Sequence, residues 1–284
     1  MNKMIIFDLD GTLFDSNKQI SEQTLHKILS LQQKGVVVGI ATGRFYNELD
    51  PYINMLKLKE CKGFTLSSNG LEIHDFSDNE AKFFLRISKD KAEDIIRLSS
   101  RFHLIPYVYE DNTYHMFHMH MLKNPKKIFD HISFKSHYIE SIKNIILEKD
   151  VVLHKNLYDK ICFAGMPIHI KNFQKFVLEH YPGFTFYPVN SYCTELCTSE
   201  VGKLQATQYL CNKKNIPLSA VMFFGDSGND VDLLRECGCG IAMKNGMKDT
   251  KKVAKYISNF TNRHEGVLDM LNQFYPTDID KSES

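Results

Sequence analysis

Apolar runs and helix-spaced apolar positions alternate along the first third of the chain. Met4-Ile5-Ile6-Phe7 is an unbroken apolar run ending in polar residues, the pattern of a strand buried on both faces. Between Ser21 and Lys34 apolar positions recur at helical spacing, Val36-Val37-Val38-Gly39-Ile40-Ala41 is strand-like again, a helix is expected near Asn47–Leu56, and Phe64-Thr65-Leu66 makes a third strand. Such alternation implies parallel strands joined by right-handed crossovers. The pattern returns late, with a helix from about Lys203 to Asn215, a strand at Ala220–Phe224, a helix from Asn229 and a short strand at Gly240-Ile241-Ala242. The two blocks read as halves of one doubly wound parallel sheet, an α/β fold.

From about Asp78 to Pro188 the texture changes. Strand-like runs at Tyr107–Glu110 and Tyr114–Met121 flank Asp111-Asn112 as a hairpin would, helical stretches follow, and Asp159–Ala164 and Thr185–Val189 read as strands. The expectation is an inserted α+β cap domain, residues 79–190, within a core made of residues 1–78 and 191–284. Asp75–Glu80, polar and weighted to acid, is the expected outgoing linker, and Pro188–Ser191 the return.

The 284 residues, 43% of them hydrophobic, suffice for a sizeable core and, at roughly 150 residues per domain, for one or two domains. Lys+Arg 35 against Asp+Glu 34 leaves a formal charge of +1, so no global field draws the chain to nucleic acid or to a membrane surface. Any selectivity for an anion must reside in a local site. Seven cysteines without regular metal-ligand spacing, and no signal segment or long apolar span, point to a reduced, cytoplasmic setting. Cys193-x3-Cys197 and Cys237-x-Cys239 both lack the second pair that a structural zinc site needs, so buried or half-buried thiols are expected.

Four loops, each at the expected carboxyl end of a strand, carry the polar equipment, which is where open α/β sheets bind ligands. Asp8 and Asp10 follow the first strand; Thr42-Gly43-Arg44 follows the second, where glycine lets backbone N–H groups approach an anion. Ser67-Ser68-Asn69-Gly70 follows the third, and Gly225-Asp226-Ser227-Gly228-Asn229-Asp230 follows the Val221–Phe224 run with oxygen ligands that suit Mg²⁺. Asp8 and Asp10 cannot face the same way on an extended strand, but residues just past a strand end are free to turn. Lys203, at the start of a helix, could supply the fixed positive charge that a transferring phosphoryl group requires.

Each element alone has a plainer reading: Asp-x-Asp-Gly as a turn, Thr-Gly-Arg as a strand exit, Gly-Asp-x-x-Asn-Asp as a capped solvent loop, Lys203 as a solvated helix-start lysine. Together and in order, Asp8-Leu9-Asp10-Gly11-Thr12, Ala41-Thr42-Gly43-Arg44, Lys203 and Gly225-Asp226-x-x-Asn229-Asp230 resemble the haloacid dehalogenase (HAD) superfamily, in particular its Cof-type sugar-phosphatase-like members with a large α/β cap of type IIB. Ala242-Met243-x-Asn245 and Glu265-Gly266-Val267 add a further resemblance. The family usually has Ser-Lys-Gly where this chain has Gly202-Lys203-Leu204, so the helix start is expected to be set slightly differently.

The resemblance implies Asp8 as nucleophile, forming an aspartyl-phosphate, and Asp10 as general acid and base. It implies phosphate binding by Thr42, Gly43 and Lys203, with Asn229 supporting the pocket, and Mg²⁺ held by Asp8, the backbone carbonyl of Asp10 and Asp226, with Asp230 behind them or acting through water. Arg44 has two readings, phosphate ligand or ion-pair partner of an acidic neighbour. His118 and His120 share one face of the Tyr114–Met121 strand, but no third ligand is evident, and a half-buried cap strand bordering the substrate cleft is the stronger reading. The implied activity is that of a Mg²⁺-dependent phosphatase on a small phosphorylated metabolite, sugar phosphates leading, with a cap that closes over the site. The alternatives are a sugar phosphomutase, which passes the phosphoryl group to a second sugar hydroxyl, and a metabolite sensor that keeps the fold without turnover.

Overall fold

A computed structural model of the chain describes residues 3–78, 80–110, 113–117 and 145–276. The chain divides into two compact units, residues 1–84 with 201–284 and residues 85–200.

The first unit is built on an eight-stranded sheet in the order Tyr256–Ile257, Cys239–Ala242, Val221–Gly225, Met4–Phe7, Val37–Ala41, Phe64–Ser67, Glu72–Asp75, Glu80–Phe83. The strands from Tyr256–Ile257 to Phe64–Ser67 are parallel and the last two antiparallel. Met4–Phe7 lies in the middle, Phe7 in register with both Ile40 and Phe224. Its four side chains are fully buried, two to each face. Ile5 and Phe7 join Val38, Ile40, Met222 and Phe224, whereas Met4 and Ile6 join Phe64, Leu66, Val221 and Phe223. Burial of this kind contributes roughly 1.5–3 kcal/mol per large side chain, which is why an uninterrupted apolar run, and not an alternating one, marks a central parallel strand.

Helices cover both faces. Glu22–Gln33 and Gly266–Phe274 bring Ile28, Leu31, Met270 and Leu271 to one, and Lys203–Lys214 and Val231–Glu236 bring Ala206, Leu210, Leu233 and Leu234 to the other. The helix expected near Asn47–Leu56 is split into a 3-10 turn, Tyr46–Glu48, and an α-helix, Asp50–Met55. Pro51 sits in its first turn, where the missing N–H costs nothing, and so fixes the new start. The helix expected from Asn229 likewise begins as a 3-10 turn, Gly228–Asp230, and becomes α-helical at Val231–Glu236.

Two expectations require correction. Asp75–Glu80 does not leave the first unit: it closes a hairpin in which Glu72–Asp75 pairs with Glu80–Phe83 along the sheet edge. Its acidic residues serve the last turn of the Lys203–Lys214 helix, where Lys214 Nζ lies 2.7 Å from Asp75 Oδ1 and Lys213 Nζ lies 2.6 Å from Asp78 and 3.1 Å from Glu80. Lys213 draws the Asp78 carboxyl below its ordinary range. Pro188–Ser191 is also no linker, because Phe184–Asn190 and Cys193–Thr198 form an antiparallel hairpin with an irregularity between Pro188 and Asn190. Pro188 is tolerated because its strand is the edge of its sheet. The units therefore part at 84/85 and 200/201, not at the expected 78/79 and 190/191.

The second unit is a six-stranded sheet in the order Phe184–Asn190, Cys193–Thr198, Ile161–Ala164, Ile105–Glu110, Thr113–Phe117, Ile145–Glu148, antiparallel except for the final pair. Helices Lys89–Ser99 and Pro167–His180 contribute Ile95, Ile96, Phe173 and Val177 to a core shared with Phe163 and Leu196. The expected turn at Asp111-Asn112 and the strand beyond Phe117, with His118 and His120, lie outside the described residues. All seven cysteines are free, six buried and Cys61 half-buried, as the sequence suggested. Among the described residues no helix is long and apolar enough to cross a membrane.

Gly39 fits the sheet because a Cβ there would lie 2.3 Å from the ring of fully buried Phe64. Gly39→Ala is expected to lower stability by about 1–3 kcal/mol in urea unfolding. Combined with Phe64→Leu, the loss should be smaller than the sum of the two single losses.

Candidate active site

The loops that carry the candidate residues follow four neighbouring parallel strands, Val221–Gly225, Met4–Phe7, Val37–Ala41 and Phe64–Ser67. Asp8 directly follows Met4–Phe7, and its N–H still donates to Phe224 O (2.9 Å), extending the sheet ladder by one residue. The chain then turns sharply: Asp10 (φ −75°, ψ 118°) and Gly11 (φ 84°, ψ −4°) have the dihedrals of the central pair of a type II turn. Gly11 is required twice over, by its left-handed φ and because a Cβ there would lie 2.5 Å from Asp226 Oδ2. This turn is what sends Asp8 and Asp10 to different places.

Asp8 enters a buried cluster. Lys203, the first residue of its helix, has a fully buried side chain whose Nζ donates to Asp8 Oδ1 (2.7 Å) and Asp230 Oδ1 (2.6 Å). The Gly202 start leaves the lysine in place: its backbone is extended, and the loop after the third strand packs against it so closely that a Cβ on Gly70 would lie 2.6 Å from Gly202 O. Asp230 is fully engaged, since its Oδ2 accepts from the N–H groups of Asp226 and Ser227 (both 2.9 Å). Asp226 Oδ1 accepts from the Thr12 hydroxyl (2.9 Å).

Carboxylate oxygens of Asp8, Asp226 and Asp230 lie within 4.8 Å of one another. The electrostatics follow from this crowding. Burial raises the Asp8 carboxyl well above its ordinary range, Lys203 works against the rise, and Asp230 and Asp226 add to it. Asp226 is pushed up to about 7, chiefly by burial and then by the charge of Asp230. Burial disfavours the Lys203 charge, but Asp230 and Asp8 outweigh it and hold the ammonium above its ordinary value. One cation faces three carboxylates in a dry pocket, an imbalance that an oxygen-preferring divalent cation would correct.

Asp10 stands outside this cluster. Its two carboxylate oxygens accept from Arg44 Nε and Nη2, both at 2.6 Å. The guanidinium also lies 5.5 Å from the Phe14 ring centroid and 5.6 Å from that of Tyr52. Of the two readings for Arg44, the structure displays the ion pair with an acidic neighbour. Burial disfavours the Arg44 charge, but the hydrogen bonds and charge of Asp10 outweigh it and hold the guanidinium above its ordinary value.

Thr42 is buried after Val37–Ala41, its N–H donating to Leu66 O (2.8 Å) and its Oγ1 accepting from the Arg44 N–H (3.2 Å), which leaves the hydroxyl proton free to point elsewhere. Asn229 Nδ2 donates to Asn69 Oδ1 (2.7 Å), and a Cβ on Gly43 would come within 3.1 Å of that same oxygen. Thr42, Gly43, Asn69 and Asn229 thus form one wall. Asn69 and Ser68 both adopt left-handed backbone (φ 60° and 48°), held by the bonds Asn69 N–H to Thr42 O (2.9 Å) and Ser68 N–H to Arg44 O (2.8 Å). Strain of this kind persists only where surrounding structure fixes it.

Asn69 and the Thr12 hydroxyl join the site without having been among its expected members. Thr12 stood inside the quoted motif, and a Ser-Ser-Asn-Gly stretch ending a buried strand was the available signal for Asn69.

Comparison with known proteins agrees with this architecture. The family profile described as haloacid dehalogenase-like hydrolase matches residues 5–271. The putative phosphatase YxeH of Bacillus subtilis is 25% identical over 268 residues, covering 93% of this chain and 95% of that protein. From the same organism, the 5-amino-6-(5-phospho-D-ribitylamino)uracil phosphatase YitU is 23% identical over 282 residues, covering 96% and 97%. A solved haloacid dehalogenase-like hydrolase from Bacteroides thetaiotaomicron superposes with TM-score 0.76 at 23% identity, covering 97% of this chain and all of that one, a likeness of fold. With its doubly wound core, its inserted α+β unit and a profile match spanning nearly its whole length, the chain belongs to the haloacid dehalogenase-like hydrolase family.

Proposed function

We propose that the protein is a cytoplasmic, Mg²⁺-dependent phosphatase that hydrolyses a small phosphorylated metabolite, a sugar phosphate first among candidates, through an aspartyl-phosphate on Asp8. The observation that carries the reading is the buried Lys203 ammonium bridging Asp8 and Asp230 beside Asp226. It gives a nucleophilic carboxylate a fixed counter-charge and a fixed direction.

In this reading Asp8 attacks phosphorus and the bond to the leaving oxygen breaks, while Asp10 delivers the proton that oxygen needs. Asp10 then takes a proton from water, which attacks the aspartyl-phosphate, releases inorganic phosphate and restores Asp8. In the structure both oxygens of Asp10 accept from Arg44, which fixes the direction of the carboxylate while each oxygen keeps a lone pair for a proton. Lys203 offsets charge on the phosphoryl group, and Thr42 donates its hydroxyl to it. Asp8 and Asp226 would hold Mg²⁺ through their side chains and Asp10 through its backbone carbonyl. Asp230, with both oxygens occupied, anchors Lys203 and the Asp226 loop from behind. When bound, the metal supplies Lewis-acid polarisation and offsets repulsion between the anionic substrate and Asp8.

The direct test is phosphate release from sugar phosphates, nucleotides and vitamin phosphates, with Mg²⁺ and with excess chelator. Metal-dependent release from a few of them is expected; none from any would sink the reading. Asp8→Asn is expected to lower release on the order of 10⁴-fold or more. Because it removes one of three crowded carboxylates, it should also raise the melting temperature measured in chelator.

The metal effect should depend on pH in a defined direction. In the metal-free protein Asp226 is raised from 3.8 to about 7, so its contribution to stability is complete below its ordinary value and is lost as pH rises through about 7. The shift in melting temperature on adding Mg²⁺ should therefore be larger at pH 8 than at pH 5.5, where protons compete for the carboxylates. Equal shifts at the two pH values would contradict the ligand assignment.

A further inference from the structure

Two asparagines far along the chain converge on the catalytic turn. Asn245 follows the strand Cys239–Ala242, and its Nδ2 donates to Gly11 O (2.7 Å). Asn262 opens the 3-10 turn Asn262–His264, and its Nδ2 donates to Phe14 O (2.6 Å). The two are joined, since the Asn262 N–H donates to Asn245 Oδ1 (3.0 Å). Three residues on, Glu265 accepts from the Ser21 and Thr24 hydroxyls (2.8 and 2.7 Å) at the start of the Glu22–Gln33 helix. The loop behind the turn is therefore itself braced.

The turn needs such support. Gly11 is its fulcrum, admitted by its φ of 84° and by the approach of Asp226, and glycine is the residue least able to hold its own backbone. The internal bonds of the Leu9–Leu13 segment run from the Leu13 N–H to Asp8 O (3.2 Å) and from the Phe14 N–H to Leu9 O (2.9 Å), leaving the Gly11 and Phe14 carbonyls for the two amides. We propose that Asn245 and Asn262 are positioning residues: joined to each other, they hold the two carbonyls of the 9–14 turn so that Asp10 is presented at the distance from Asp8 that proton delivery requires. The proposal rests on the acid role of Asp10 in the reading above. It assigns a task to the Ala242-Met243-x-Asn245 segment, which touches neither Asp8 nor Lys203 through any bond described.

The test uses Asn245→Ala and Asn245→Asp in the full chain. Asn245 is exposed, so its truncation buries no unpaired group, and the aspartate keeps shape and acceptor while losing the donor to Gly11 O. Two substrates separate proton delivery from general damage: p-nitrophenyl phosphate, whose leaving group departs unaided, and an alkyl phosphate such as glucose 6-phosphate, whose leaving oxygen needs a proton. The constant kcat/KM reports the steps up to departure of the leaving group. Both variants are expected to lose on the order of 10²-fold on the alkyl ester and far less on the aryl ester. Amide hydrogen exchange at Leu13 and Phe14 should quicken in both without a change in melting temperature. Equal losses on the two esters, or unchanged exchange, would overturn the proposal while the phosphatase reading stands. A wild-type protein inactive on both esters and on the substrate panel would instead remove the phosphatase reading, and the positioning role with it.

Discussion

A buried ammonium organises the first unit. Lys203 reaches the strand ends from a helix on one face of the sheet, and its side chain is as dry as the core around it. Burial disfavours the lysine's charge; two carboxylates more than offset it, and the lysine in return offsets their burial. The loops after the first and fourth strands of the unit's parallel core are thus linked by one group that belongs to neither. The helix behind the lysine is fixed at both ends, by the close packing of Gly70 on Gly202 and by Lys213 and Lys214 on the edge hairpin.

Much of this was legible in advance because the physics is local. A strand buried on both faces needs consecutive apolar residues, and Met4–Phe7 has them; the residue after such a strand stands at the carboxyl end of the sheet, and Asp8 is there. The order of the remaining polar loops along the chain then indicated their convergence. The partners of individual side chains were not legible. Nothing in the sequence distinguishes an Arg44 that faces phosphate from one that grips Asp10, because the difference lies in a turn at Gly11 and in two rings, Phe14 and Tyr52, that define where the guanidinium lies.

The unit boundaries were misjudged for a related reason. Acidic residues at Asp75–Glu80 look like solvated linker until the lysines that pair with them, more than a hundred residues away, are brought alongside. Pro188 looks like a strand breaker until its strand proves to be an edge, where proline is tolerated. In both places a composition typical of loops was placed in a sheet by contacts distant in sequence, which no local pattern contains.

The edge hairpin has a consequence for solubility. Parallel sheets expose two rows of unpaired backbone groups, and a long apolar border recruits other chains. Here one border is Glu80–Phe83, exposed at all four residues and carrying Glu80 and Lys82, and the other is the two-residue strand Tyr256–Ile257. The charged side chains of the first have to stay solvated, which disfavours a neighbouring strand, and the second is too short to template one, so among the described residues the sheet stops at eight strands.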